Sequence, residues 1–521
     1  MPLDFLDERV RRPPIARGLV TTIVLVTVAA HLIVNATSPY GFHRDEFLYV
    51  AMGEHLDLFR MDFPPAIALL ANAARAVLGD SVMALRALPA LAHGLLVLLA
   101  AWFAAESAGG RFAQGLAAVS VAVSPLFLRT GTLFQPVVFD QLAWTLALAA
   151  LARTANGRSG RWWLALGAAL GIGLLVKFSI AFCAVGVAIA VLVARRDAVM
   201  RSPWPWLAAV LAVIIGSPSL VGQVALDWPV LGQLRDLRSV QLDHVSRGAF
   251  LTDQLRMMGP ALLIAIAGLW SALRDSRTRT LRPVAIATLV AFLLLLVARG
   301  KAYYAGPIYP ALIGIGATTV DRWAGDFART GTAFAMRATA LVLVLLFGAV
   351  ALPLGLPFLA PDAMARYAAR VAPTAARTTN TGTVLELPQD YADMLGWPEL
   401  VATVDSVWRS LPADERARAT IVGDNYGRAG AIDLLGAPDL PAAISAAGSY
   451  WFWGPGPQRG DPTIVVGGDM TELSQFFADV RRVAIVRNPR GVPEERIVPI
   501  FIGRAPRRAL AEVWPELSGQ N

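Results

Sequence analysis

Long apolar runs dominate the first 360 residues of the chain. The first extends from Gly18 to about Thr37, and ten more of roughly 17 to 22 residues follow, each long enough to cross a bilayer as a helix. The pattern predicts a polytopic α-helical membrane protein with about eleven transmembrane helices. The later runs begin near Ala84, Phe112, Pro136, Trp162, Phe178, Trp204, Leu255, Pro283, Tyr303 and Ala338.

Arginines between the runs predict the orientation of the chain. Basic residues precede the first run, which we interpret as a retained signal anchor, and others recur in alternate loops. An odd number of spans then places the N-terminus in the cytoplasm, and both the loop from residue 38 to 83 and the C-terminal tail outside it. The two runs on either side of Lys177 could instead form one long bent helix. The loop arginines are Arg153, Arg158, Arg161, Arg195, Arg196, Arg201, Arg274, Arg277, Arg279, Arg282, Arg322, Arg329 and Arg337.

The pattern changes near Pro361, where polar residues, Pro and Gly separate short apolar runs. Helical patterns at 391–411 and 427–435 alternate with strand-like runs at 419–422, 463–466, 483–486 and 497–502. We therefore predict two domains, a transmembrane domain over residues 1–360 and an extracytoplasmic soluble α/β domain over residues 361–521.

Composition agrees with a membrane protein. Of 521 residues, 56% are hydrophobic and 16% are charged, and the mean hydropathy is +0.54. A net charge of +8 could indicate nucleic-acid binding, but the arginines lie in short loops rather than on one stripe, so we expect no nucleic-acid partner. A single cysteine, Cys183, excludes an internal disulfide.

The first predicted outer loop carries a dense group of charges directly after a membrane span. His43-Arg44-Asp45-Glu46 is followed by Asp62-Phe63-Pro64-Pro65. Carboxylates beside an apolar wall can accept a proton from an incoming hydroxyl, so this loop is the first candidate site. Amphipathic stretches at 46–59 and 66–78 are suited to lie along the interface and cover a lipid headgroup.

Both lysines of the chain, Lys177 and Lys301, fall at outer ends of predicted spans. The segment Arg299-Gly300-Lys301-Ala302-Tyr303-Tyr304 combines two cations with two phenols, a set that could bind a phosphate at the interface. The alternative is an ordinary interfacial anchor of basic and aromatic side chains.

Three further polar residues could line one pocket together with the first loop and the lysine segments. Gln135 and Asp140 lie at the outer end of one span, and His244 lies in the loop from 226 to 254. Asp140 could instead cap its helix or stay solvated, and a lone loop histidine is more often a surface residue.

Two motifs in the tail each allow more than one interpretation. Gly423-Asp424-Asn425-Tyr426-Gly427 follows a predicted strand, but it lacks a phosphate-loop spacing and a following lysine, which favours an ordinary strand-to-helix turn. The aromatic segment 449–455 could stack on sugar rings, dip into a membrane or pack in a core.

These motifs, in this order, resemble the bacterial protein-mannosyltransferase and aminoarabinose-transferase superfamily, whose members are GT-C fold glycosyltransferases. The motifs are Arg44-Asp45-Glu46, Asp62-Phe63-Pro64-Pro65, Gln135-Pro136 with Asp140, and Lys301 with Tyr303, Tyr304 and Pro310. The resemblance extends to about residue 320. It implies a bacterial plasma-membrane enzyme that moves a sugar from a polyprenyl-phosphate donor to a lipid, glycan or protein acceptor.

Roles follow from the resemblance residue by residue. Asp45 is implied as the general base of an inverting displacement, and Glu46 as the residue that orients it or the acceptor, unless it is a solvated loop acid. Arg299, Lys301, Tyr303 and Tyr304 are candidates to stabilise the departing phosphate. Arg44 departs from the family's less charged pattern, and it could contact the phosphate or pair with Glu46.

The sequence leaves two questions open, whether the protein binds a metal and whether it belongs to another functional class. Some relatives hold a divalent cation, and Asp45, Asp62 and Asp140 could supply oxygen ligands, but the sequence defines no metal site. A transporter or flippase would also have many spans with internal charges, yet no inverted halves are visible. A receptor or scaffold acting through the tail would not need the acids of the first loop.

Overall fold

The structure is a computed structural model that describes residues 12–155, 159–240, 246–327, 330–457 and 460–517. Chain contacts divide it into two compact units. The helical unit comprises Met1–Thr37, Arg86–Val221 and Leu231–Leu356, and the sheet unit comprises Ser38–Leu85, Gly222–Val230 and Pro357–Asn521. The first loop therefore groups with the C-terminal tail, although more than 270 residues separate them along the chain.

Helices are numbered in chain order through both units. They are α1 (Arg17–Thr37), α2 (Arg44–Glu54), α3 (Ala66–Leu78), α4 (Val82–Glu106), α5 (Arg111–Val123), α6 (Pro125–Thr130), α7 (Pro136–Ala155), α8 (Arg161–Val176), α9 (Ile180–Arg201), α10 (Trp204–Ala225), α11 (Pro229–Val240), α12 (Arg247–Met258), α13 (Pro260–Arg274), α14 (Arg282–Val297), α15 (Tyr309–Gly325), α16 (Thr330–Gly355), α17 (Pro361–Val371), α18 (Gln389–Ala392), α19 (Trp397–Arg409), α20 (Ala413–Arg416), α21 (Tyr426–Leu435), α22 (Ser449–Trp453), α23 (Met470–Phe476) and α24 (Leu510–Val513).

Helices of membrane-spanning length confirm a multi-pass membrane protein. Within the described residues, six helices are long and apolar enough to cross, and a seventh span arises if α12 and α13, bent by 108°, are taken together. Every one of the eleven predicted runs contains a helix, but α5, α8 and α15 have 13, 16 and 17 residues. Helices of that length are shorter than a hydrocarbon core of about 30 Å, so the count of eleven is approximate.

Small residues bring helices of the helical unit together. A Cβ on Gly268 of α13 would lie 2.0 Å from the Leu312 carbonyl oxygen, and one on Gly316 of α15 would lie 1.8 Å from that of Ile264. Glycine at both positions therefore permits the close crossing of α13 and α15, as is common between membrane helices.

Two buried histidines in this unit bond to each other and to neighbouring oxygen atoms. The rings of His31 and His93 are joined by a 2.8 Å contact between Nε2 and Nδ1, and His31 Nδ1 lies 3.1 Å from the hydroxyl of Thr132. His93 Nε2 lies 3.2 Å from the Val121 carbonyl oxygen. This chain of contacts stabilises helices α1 and α4, because an unbonded polar group in an apolar interior is costly.

The sheet unit contains a mixed sheet with five described strands. They are β1 (Thr420–Gly423), β2 (Ala443–Ile444), β3 (Thr463–Val466), β4 (Phe477–Arg487) and β5 (Ile497–Pro506), in the order β2-β1-β3-β5-β4. Pairing is parallel between β1 and both β2 and β3, and antiparallel from β3 through β5 to β4. The predicted C-terminal α/β region is thus confirmed, while the short strand β2 was not predicted.

Candidate functional site

The start of α2 is held by a reciprocal pair of hydrogen bonds. His43 is the N-cap, and its Nδ1 accepts from the Asp45 backbone N–H at 3.1 Å. Glu46 Oε2 accepts from the His43 backbone N–H at 2.8 Å. This capping box gives the Glu46 carboxylate a structural role, and Glu46 is fully buried rather than a solvated loop acid.

Asp45 differs from its neighbour in both exposure and partner. Its side chain is 28% exposed. The hydroxyl of Tyr426, at the start of α21, donates to Asp45 Oδ1 at 2.9 Å. The residue implied as the base is therefore accessible, and one of its carboxylate oxygens is held by the C-terminal tail.

A buried acid lies beside the basic residues of the loop. Arg44 Nε is 3.6 Å from Asp393 Oδ1, and His43 Nε2 is 3.7 Å from Asp393 Oδ2. Burial raises the pKa of Asp393, and the positive charge of Arg44 opposes that rise. The ion pair described for Arg44 is with Asp393, a partner that the sequence did not predict.

Asp62 is buried in the sheet unit. The hydroxyl of Ser449 lies 2.8 Å from Oδ1 and 2.9 Å from Oδ2, and the Gln223 side-chain amide donates to the Asp62 backbone carbonyl at 2.7 Å. Burial raises the pKa of Asp62 to about 6. These contacts link the first loop to α22 and to the end of α10.

In the helical unit, Asp140 accepts two side-chain hydrogen bonds. Trp144 Nε1 donates to Oδ1 at 2.9 Å and the Ser179 hydroxyl donates to Oδ2 at 2.7 Å. Asp140 is buried in α7, just beyond its first turn, so it is not a solvated acid at a helix end. Gln135, just before α7, is half-buried.

The two lysine segments of the helical unit meet through aromatic rings. Lys177 Nζ lies 4.3 Å from the ring centroid of Tyr304 and 5.7 Å from that of Tyr303. Lys301 is the N-cap of a short 3-10 segment that carries both tyrosines. The structure thus brings Lys177 to Tyr303 and Tyr304, two neighbouring residues that are far from it in sequence, and Lys301 is close to them along the chain.

One other predicted residue does not join this group. Arg299 is exposed just beyond the end of α14, with a φ of +54°, and takes no part in these contacts. His244 lies outside the described residues. In the part of the chain that the structure describes, no group of three or more His, Cys, Asp or Glu side chains could hold a metal ion.

The two tail motifs also have structural roles. The segment 423–427 is the predicted strand-to-helix turn between β1 and α21, with Asn425 as N-cap. In the aromatic segment, Trp451 and Trp514 each donate an indole N–H to the other's backbone carbonyl, at 3.2 and 3.0 Å. Tyr450 is buried. Trp451, Phe452 and Trp453 are only partly buried, so the segment is held in place but not enclosed in the core.

A cleft of about 360 Å³ in the sheet unit borders this aromatic segment. Its polar groups bond to one another: the Tyr450 hydroxyl donates to Asp433 at 2.6 Å, and His55 stacks on Trp453 with centroids 4.1 Å apart. Burial raises the pKa of Asp433 to about 6.

Comparisons with known proteins agree on one architecture. Residues 62–221 match the family described as dolichyl-phosphate-mannose-protein mannosyltransferase. The crystal structure of ArnT from Cupriavidus metallidurans bound to undecaprenyl phosphate has a TM-score of 0.59 at 17% identity, covering 93% of this chain and 98% of that chain. The chain has the GT-C glycosyltransferase fold.

Two more solved structures share this fold. ArnT from the same organism in the apo state gives a TM-score of 0.60 at 17% identity, with the same coverage. The arabinofuranosyltransferase AftD from Mycobacteria gives 0.51 at 15% identity, covering 96% of this chain and 40% of that chain. No curated protein matches the sequence. The resemblance drawn from the motifs is confirmed at the level of the GT-C fold.

The sequence did not reveal the partners of its acidic residues. Tyr426, Ser449 and Asp393 lie in the tail, and nothing in their local sequence marks them as partners of the first loop. The one available signal was Asn425 after a strand, which predicts a helix start but not what the next side chain contacts.

Proposed function

We propose that the protein is a membrane glycosyltransferase that moves a sugar from a polyprenyl-phosphate donor to an acceptor hydroxyl with inversion. Asp45 is the general base. The observation that carries this assignment is the contrast within the acidic pair: the Asp45 side chain is 28% exposed, while Glu46 is fully buried in the cap of α2. Only Asp45 of the two can meet an incoming hydroxyl.

The proposed reaction is a single displacement. Asp45 takes the proton of the acceptor hydroxyl as its oxygen bonds to the anomeric carbon of the sugar. The bond from that carbon to the phosphate oxygen breaks, and its electron pair leaves with the polyprenyl phosphate. Attack opposite the leaving group inverts the anomeric centre. The acceptor, whether lipid, glycan or protein, is not part of the assignment.

Cationic and phenolic groups of the helical unit are our candidates for the phosphate. Lys177, beside Tyr303 and Tyr304, is the best supported, since its ammonium lies against both rings, and Lys301 is next to them in the chain. Donors placed in advance stabilise charge that develops on a leaving phosphate. The undecaprenyl phosphate bound to the similarly folded ArnT structure supports a polyprenyl donor. Arg299 is a weaker candidate because it is exposed.

We further propose that the enzyme works at the outer face of a bacterial plasma membrane, with the N-terminus in the cytoplasm and the C-terminal region outside. This orientation rests on the loop arginines.

Turnover by the full-length protein tests the proposed function. Protein in nanodiscs is given undecaprenyl-phosphate-linked pentoses and hexoses with an envelope lipid extract, and released undecaprenyl phosphate is measured. Asp45→Asn should lower release by about 10²- to 10⁴-fold, the usual contribution of a general base. Asp390→Asn is the matched control, because that carboxylate is 26% exposed and, like Asp45, lies 3.9 Å from the His43 ring. Turnover retained by Asp45→Asn would refute the base, and transbilayer movement of intact donor would favour a flippase.

A further inference from the structure

The Tyr426 phenol is a partly buried hydrogen-bond donor to an accessible acid. Its hydroxyl lies 2.9 Å from Asp45 Oδ1, across 381 residues of chain. Burial, with the negative charge of Asp45 as the next cause, raises the pKa of Tyr426 far above its ordinary value. The phenol therefore keeps its proton, and toward the carboxylate it acts as a donor.

The turn that carries Tyr426 is tied down on both sides. Asn425 Oδ1 accepts from the Arg428 backbone N–H at 3.0 Å, and Asn425 Nδ2 donates to Glu495 Oε1 at 3.0 Å. The Arg428 side chain is 4% exposed, and its Nε donates to Glu495 Oε2 at 3.0 Å. The buried Arg428 side chain holds this turn against the segment before β5. The position of the Tyr426 phenol is therefore fixed.

Two glycines of α21 allow it to approach α2 closely. A Cβ on Gly427 would lie 2.4 Å from Arg44 Cγ, and one on Gly430 would lie 2.8 Å from Phe47 Cβ and 3.1 Å from the Phe47 carbonyl carbon. A larger residue at Gly430 would push α21 away from the backbone of α2 at Phe47. The spacing between α21 and α2 is therefore set so that the phenol reaches Asp45.

We infer that Tyr426 is a positioning residue for Asp45, and that the C-terminal region thereby takes part in the transfer reaction. The inference rests on the proposed role of Asp45 as base. A hydrogen bond to Oδ1 fixes the rotation of the carboxylate, and with it the direction from which Asp45 meets the acceptor hydroxyl. Small errors in that direction are costly, because proton transfer needs aligned groups.

Tyr426→Phe tests the inference in the full-length enzyme. The variant keeps the ring and loses only the hydroxyl, so kcat should fall by about 10- to 100-fold. The donor KM should stay within about twofold, because the bond acts on the chemical step rather than on binding. Tyr450→Phe is the matched control, since it removes a similar partly buried phenol–carboxylate bond, to Asp433, in the same unit. Its kcat should remain that of the wild type.

Equal losses of kcat in the two variants, or an unchanged kcat in Tyr426→Phe, would overturn the inference. If Asp45→Asn is inactive while Tyr426→Phe turns over normally, the base stands and the positioning role fails. If Asp45→Asn turns over normally, the proposed function fails and the inference with it.

Gly430→Ala is a second, independent test of the inference if Tyr426→Phe does not fold. The added methyl displaces α21 from α2 and moves an intact phenol, while alanine favours the helix itself. We expect a lower kcat with an unchanged donor KM, and a wild-type kcat would count against the inference.

Discussion

The hydroxyl of Ser449 lies between the two carboxylate oxygens of Asp62, 2.8 Å from Oδ1 and 2.9 Å from Oδ2. Both residues are buried, and 387 positions separate them in the chain. The contact joins the Asp62-Phe63-Pro64-Pro65 motif to the aromatic helix α22. Asp62 therefore ties the first loop to the C-terminal tail within the sheet unit.

Ser449→Ala should destabilise the protein, because the buried Asp62 carboxyl would lose its side-chain donor. The expected cost is about 1–3 kcal/mol, seen as a lower midpoint of thermal unfolding in detergent. Ser474→Ala is the control. Its exposed hydroxyl donates to the Met470 carbonyl, and its loss should cost less than about 0.5 kcal/mol. Equal midpoints for Ser449→Ala and the wild type would show that the contact contributes nothing.

Asp62 should also make stability depend on pH. Its pKa in the folded protein is about 6, above the ordinary value of 3.8, so the folded state holds a proton that the unfolded chain releases across this range. Unfolding is therefore favoured as pH rises from about 4 to 6, and the full penalty applies above that range. Asp62→Asn removes this penalty. Its stability relative to the wild type should increase by about 1–3 kcal/mol between pH 4 and pH 7.

Unfolding midpoints of both proteins, measured at intervals across this pH range, provide the check. A difference between the two proteins that stays constant with pH would contradict the assignment. Asp433 has a pKa raised in the same way, but it is present in both proteins, so its effect cancels in the comparison.

Lys177→Ala should weaken binding of undecaprenyl phosphate by about tenfold, the effect of losing one charge-assisted contact to a phosphate. Arg299→Ala is the paired variant. Since Arg299 is exposed and takes no part in the contacts of Lys177 with Tyr303 and Tyr304, its removal should weaken binding less. Titration of the purified protein with undecaprenyl phosphate measures both. A larger loss for Arg299→Ala would reverse our ranking of the phosphate candidates.

Arg428→Met should be strongly destabilising, by about 3–5 kcal/mol, because it leaves the buried Glu495 carboxylate without its positively charged partner. Arg409→Met removes an arginine that bonds Asp405 and Asp439 at the surface, and should cost much less because solvent screens exposed ion pairs. Unfolding midpoints compare the two directly. Similar costs would mean that the buried network does not anchor the turn carrying Tyr426.

Parts of the fold could be read from sequence because their cause is local. A helix in lipid must satisfy its own backbone hydrogen bonds and needs a continuous apolar run, so α1, α4, α7, α10 and α16 are visible as such runs. Strand β3 lies at 463–466, as its run of β-branched residues predicted. The two-residue strand β2 has no such run, and it exists because β1 offers it a parallel partner.

Some features of the candidate site could likewise be predicted from the sequence, and others could not. Asp45, Lys301, Tyr303 and Tyr304 were found from residue type and position at the ends of spans. Glu46 was expected to be catalytic or solvated, and its capping bond was missed because histidine is an uncommon N-cap. Arg44 was expected to meet a phosphate or Glu46, and the ion pair described for it is with Asp393.

The sequence by itself determined that this chain crosses a membrane many times, that a mixed helix and strand region follows, and which charged residues stand at the span ends. These properties depend on hydropathy and spacing over about 20 residues or fewer. Only the tertiary structure decided which acid is accessible and which groups hold it. Tyr426 and Ser449 reach Asp45 and Asp62 across more than 380 residues, and a hydrogen bond that acts over about 3 Å depends on where the folded chain places both ends.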